Sequence, residues 1–202
     1  MDNPLRFKDE RLKRLMSKLG LINDGTTKMA LASNHLSKGL QKLRSEGNYA
    51  SYIVIGTNSV EFLLDKLFTL YVYALNLSAI AAEVASKDYY PYELDLKAPS
   101  TSGQILKNLK EKFKFDVYNE ELYGQLDSLI KKRNEIAHEL IDTFDGDLSK
   151  VNESLKNYSE TEPIETLSNK ITALTNDIVV SIQAKLNSEA VQKNLVATPP
   201  LA

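Results

Sequence analysis

The sequence predicts an all-α chain, and three observations carry that expectation. Apolar residues recur three and four apart through most of the 202 residues, the positions between them are filled with Leu, Lys, Glu, Ala and Gln, and the period-two alternation of strands is nearly absent. With 43% hydrophobic and 26% charged residues the chain has the balance of a globular domain that buries one sizeable core. No repeat of fixed period occurs. The expected organisation is a single domain over residues 1–195 and a disordered tail over 196–202, where Pro199 and Pro200 exclude helix.

Taken in order, the spacing predicts helices over Arg6 to Leu19, Thr27 to Glu46, Ala50 to Lys87, Gly103 to Phe113, Asn119 to Phe144, Ser149 to Tyr158 and Ile164 to Asn194. Asn23-Asp24-Gly25 and Gly47-Asn48 favour turns between them. Asp145-Gly146-Asp147 closes the fifth helix, and Glu162-Pro163 opens the last. The stretch from Asp88 to Gly103 fits no helix; a connector of that length is either a surface crossing or a lid. The most apolar segment, Phe62 to Ala82, carries Asp65 and Lys66, so it reads as a central core helix rather than a membrane span.

Composition narrows the chemistry. The absence of cysteine removes disulfides, zinc–thiolate sites, iron–sulfur clusters and a thiol nucleophile. A formal net charge of −2 gives no general positive field, so any nucleic-acid contact must come from local patches. The first residues have no apolar signal-peptide core and contain Asp9 and Glu10, which points to a cytoplasmic protein. His138-Glu139 begins a zinc-protease pattern, but Asp142 stands where the second histidine belongs. Asp142, Asp145 and Asp147 lack the spacing of a calcium loop, and neither a phosphate-cradling glycine loop nor a serine-hydrolase elbow is present.

One stretch stands out. At about 100° per residue, Leu122, Leu126, Leu129, Ile136, Leu140 and Phe144 form one apolar stripe, and Arg133 falls in its middle. An arginine there needs an acidic partner or a polar opening, and Glu61 and Asp65 on the central helix are the candidate partners. Asn134 and His138 lie one turn apart on another side, beside Lys131 and Glu135. That edge is either an ordinary solvated face or a site; periodicity alone leaves both open.

The string Arg133-Asn134-Glu135-Ile136-Ala137-His138, late in a long helix of an all-α chain, resembles the motif of the HEPN superfamily, the higher eukaryotes and prokaryotes nucleotide-binding domain. In that motif an arginine precedes a histidine by four to six residues and is often followed directly by a polar residue. The segment Asn58 to Phe68 also resembles the earlier HEPN helix in which an acidic residue recurs, here Glu61. The resemblance implies a bundle of four to five core helices, with an additional N-terminal helix in this chain. It further implies a metal-independent endoribonuclease that uses no cofactor, acts as a homodimer and serves toxin–antitoxin, abortive-infection or related defence, with RNA and an antitoxin or other partner protein as partners.

On that reading Arg133 and His138 are the central catalytic residues, Asn134 supports them and Glu61 completes the site. Lys131 and Lys132 contact RNA, as do Lys107, Lys110, Lys112 and Lys114, while Tyr118 and Tyr123 stack on bases. The plainer reading makes these lysines solvated helix faces and the tyrosines packing residues. His35 carries no motif around it. One departure is Leu140, which stands where toxins paired with a nucleotidyltransferase antitoxin commonly have tyrosine. Two alternatives remain: a catalytically silent helical module that binds a nucleotide, RNA or a protein at the same surface, and a scaffold in which Arg133 only pairs with a core acid.

Overall fold

The computed structural model describes residues 36–86, 101–142, 147–161 and 163–187, and all regular secondary structure among them is helical. The helices are α1 (residues 36–45), α2 (Tyr49–Ser86), α3 (Ser102–Phe113), α4 (Phe115–Tyr118), α5 (Glu120–Asp142), α6 (Leu148–Thr161) and α7 (Ile164–Leu186). The expected helix at Arg6 to Leu19, His35, most of the Asp88 to Gly103 connector, Phe144 and the C-terminal tail lie outside the described residues. No described helix is long and apolar enough to cross a membrane.

Helix α2 is the axis of the bundle because its apolar residues are spread around much of its circumference. Tyr52, Ile53, Val60, Leu64, Leu67, Phe68 and Leu70 are completely buried, and α7, α6, α3 and α5 pack around them. The main core joins all of these but Leu70 to Leu106 and Leu109 of α3, Phe115 of α4, Leu126 and Leu129 of α5, Val151 and Leu155 of α6, and Ile164, Leu167 and Ile171 of α7. Phe113 wedges between Phe68 and Tyr71, with ring centroids 5.7 and 5.1 Å away. A smaller cluster of Leu70, Leu77 and Ile182 ties α2 to α7 further along.

The ends of the helices follow from local chemistry. After α1, Gly47 takes a left-handed φ of 74°, while its N–H bonds to Arg44 C=O and that of Asn48 to Leu43 C=O, the double closure that caps a helix C-terminus. Helix α2 borrows a cap from a distant helix: the Ala50 N–H donates to Asn152 Oδ1 at 2.8 Å. Asp147 accepts from the Ser149 backbone and hydroxyl at the start of α6, and these bonds hold its carboxyl below the usual range. At the start of α7 the Tyr52 hydroxyl receives the Ile164 N–H at 2.7 Å. Where α2 crosses α7, Gly56 leaves space that Ile164 fills, since a Cβ there would lie 2.5 Å from Ile164 Cδ1.

Helix starts fall within one residue of expectation from α2 onward, but α6 runs to Thr161, three residues past the expected Tyr158. A single-turn helix, α4, intervenes between α3 and α5, because Lys114 adopts a left-handed φ of 56° that ends α3 and redirects the chain. Four residues are too few to show a period, so this turn was invisible to spacing. Asn187 closes the turn of α7 that ends at Leu186 onto the Gln183 and Lys185 carbonyls, and the remainder of the expected span to Asn194 lies outside the described residues.

Candidate functional site

Helix α5 carries the motif. Its first half is fixed by Leu122, Leu126, Leu129 and Ile130 in the core, and Ile136 anchors the second half at 5% exposure. Lys170 of α7 adds an outer tie, donating to Glu121 at 2.6 Å and Gln125 at 3.0 Å and lowering the Glu121 pKa through that bond. The helix is therefore held on both sides of the motif's first residue.

Arg133 is not buried, so of the two expected arrangements, an acidic partner or a polar opening, the pairing with Glu61 or Asp65 is not found. It is exposed, and its Nη1 donates to Asn134 Oδ1 at 3.2 Å. Among the described residues no carboxylate lies in ion-pair range of it. Asp65 instead pairs with its neighbour Lys66 at 3.3 Å, and Glu61 is half-buried with no hydrogen bond or ion pair to Arg133. The physical reason lies in desolvation: burying an unpaired guanidinium is prohibitive, so the neighbours that seal Leu129, Ile130 and Ile136 leave the intervening position open to water. Angular position alone misjudged it.

Asn134 and His138 are both exposed. The Arg133 to Asn134 bond bridges about 100° of helix circumference, so the structure brings these two together directly, while His138 follows Asn134 one turn later on the same edge. His138 makes no hydrogen bond to any described residue. Lys131 is bound to Asp127 at 2.6 Å and Lys132 to Glu135 at 2.5 Å, so both proposed RNA lysines already hold carboxylates on their own helix. Glu61 is the motif-associated residue that the described contacts leave apart from the others.

Sequence reading overlooked a buried polar pair elsewhere. Tyr52 Oη donates to Glu165 Oε2 at 2.6 Å while accepting from Ile164, and burial, followed by the Glu165 bond, pushes the Tyr52 pKa well up. The other oxygen, Glu165 Oε1, is buried without a hydrogen-bond partner among the described residues, and Glu165 also lines a small cleft with Ser37, Leu40, Ser168 and Asn169. The signal available in the sequence was Pro163 followed by Glu165 in a first helical turn, which is too common to single out. Among the described residues no group of three or more His, Asp or Glu side chains is arranged to hold a metal ion.

No protein-family model, curated protein or solved structure matches the chain.

Proposed function

We propose that this chain is an HEPN-type bundle that cleaves RNA without a metal, as a homodimer in which two copies of Arg133 and His138 meet. The observation that carries the reading is that Arg133, Asn134 and His138 are all exposed on one helix, although Arg133 falls within the apolar stripe that Leu126, Leu129 and Ile136 anchor in the core. The fold makes no evident use of these three polar groups, and they have the composition the chemistry needs.

In RNA cleavage the 2′-hydroxyl attacks the adjacent phosphorus. A base accepts the hydroxyl proton, an acid protonates the departing 5′-oxygen, and a cation stabilises charge on the phosphorane oxygens. The Arg133 fork binds two phosphate oxygens, and Asn134 steadies that fork through its amide oxygen. His138 transfers one proton, and its symmetry mate supplies the other, because one chain offers a single motif histidine. Glu61 stays a peripheral member of the site. Toxin–antitoxin or antiviral service follows from the same resemblance.

A second reading has its own support. Nothing described in one chain orients the His138 imidazole, as a general base requires, and this favours a silent module that binds a nucleotide, RNA or a protein at the same surface. Incubating purified protein with RNA in EDTA separates the two. The nuclease leaves 2′,3′-cyclic phosphate ends and loses activity on His138→Ala; the silent module leaves RNA intact in both forms while retaining its ligand.

A further inference from the structure

The lysines of α3 and the motif of α5 share one continuous surface. Lys107, Lys110 and Lys114 are exposed and spaced to lie on one side of α3 and its cap. The Lys110 ammonium sits 5.4 Å above the Tyr123 ring, so this side meets α5 at Tyr123. From Tyr123 the helical register carries one edge of α5 through Asp127 and Lys131 to Asn134 and His138, about 22 Å along the axis at about 1.5 Å per residue.

At the near end of that edge, the α4 turn presents two apolar side chains to water: Val117 is 68% and Tyr118 78% exposed, the most open large hydrophobics described. Phe115 in the same turn is completely buried and fixes it in place. An exposed aromatic whose backbone N–H bonds to the Lys114 carbonyl, in a turn fixed by Phe115, has the composition of a stacking platform for unpaired bases.

We propose that single-stranded RNA lies along this edge, with a base stacked on Tyr118, phosphates on Lys107, Lys110 and Lys114, and the strand running past Lys131 to Asn134 and His138. The inference rests on the nuclease reading for its far end only. The track holds about four nucleotides, the low end of single-strand site sizes. Glu111, Asp116 and Asp127 pair with Lys107, Lys110 and Lys131 at 3.8, 3.4 and 2.6 Å; the lysine ends are exposed in all three, and ion pairs open to water in this way are weak enough for phosphates to compete with. Duplex RNA does not fit, because its bases are not free to stack.

The test is fluorescence anisotropy of a labelled single-stranded oligoribonucleotide of about twelve nucleotides with the non-cleaving His138→Ala protein. Adding Tyr118→Ala weakens binding about ten-fold, and Lys107→Gln with Lys114→Gln lowers the slope of affinity against salt by about 1.4. Circular dichroism checks that these exposed changes leave the fold intact. Unchanged affinity and unchanged salt slope in both variants would overturn the track. RNA cleavage that needs His138, combined with track-insensitive binding, sinks the track and spares the nuclease. Tyr118-dependent binding without cleavage by the unmutated protein does the reverse, and no binding together with no cleavage removes both.

Discussion

The Arg133 guanidinium is held by Asn134, its immediate neighbour in the chain, at 3.2 Å, and by no described carboxylate. An arginine placed by spacing in the middle of an apolar stripe thus points its charge to solvent, where it is available to an incoming anion. That relationship speaks against the scaffold reading, in which Arg133 pairs with an acid in the core.

Arg133→Ala is expected to leave thermal unfolding unchanged to within about 0.5 kcal/mol, the range of surface substitutions. RNA cleavage or anion binding is lost in the same protein. A loss of several degrees in melting temperature would restore the scaffold reading, in which the arginine serves the core.

Gly56→Ala tests the closest approach of α2 to α7. The added methyl meets Ile164 Cδ1 at 2.5 Å and Cγ2 at 2.9 Å, so the helices must separate or Ile164 must leave its rotamer. Overpacking of this kind costs about 1–3 kcal/mol, read from the urea midpoint. The double change Gly56→Ala with Ile164→Val recovers part of it.

Asn152→Ala removes the acceptor for the Ala50 N–H at the first turn of α2, leaving a donor on a buried residue unpaired. The expected cost is about 1–2 kcal/mol in denaturant unfolding. Asn152→Asp, which keeps the acceptor, loses less.

Tyr52 sets an alkaline limit. Its folded pKa is raised above the ordinary value of 10.0 by burial and by the bond to Glu165, so the folded state keeps its proton after the unfolded chain has lost it. The unfolded state then binds fewer protons, and stability falls as pH rises above about 10, by up to about 1.4 kcal/mol per pH unit from this group. Tyr52→Phe flattens that decline in the urea midpoint measured between neutral pH and pH of about 11. At neutral pH it costs about 1–3 kcal/mol, because Ile164 N–H and Glu165 lose their partner.

Helix positions were legible from sequence because a 3.6-residue period survives without tertiary information. The expected span of α2 began one residue late at Ala50, and α3, α5 and α6 began within one residue of their observed starts. Buried positions such as Leu122, Leu126, Leu129 and Ile136 were legible for the same reason. The four-residue α4 turn was not, since it is created by one left-handed residue, Lys114, rather than by a pattern.

By itself the sequence determined an all-helical chain with an Arg133, Asn134 and His138 string on one long helix. Tertiary structure alone decided that Arg133 faces water and that Lys110 of one helix rests on Tyr123 of another. Periodicity ranks positions around a single axis. Which of those positions is sealed depends on where neighbouring helices end and on the cost of stripping water from a charge, and neither quantity is local to the chain.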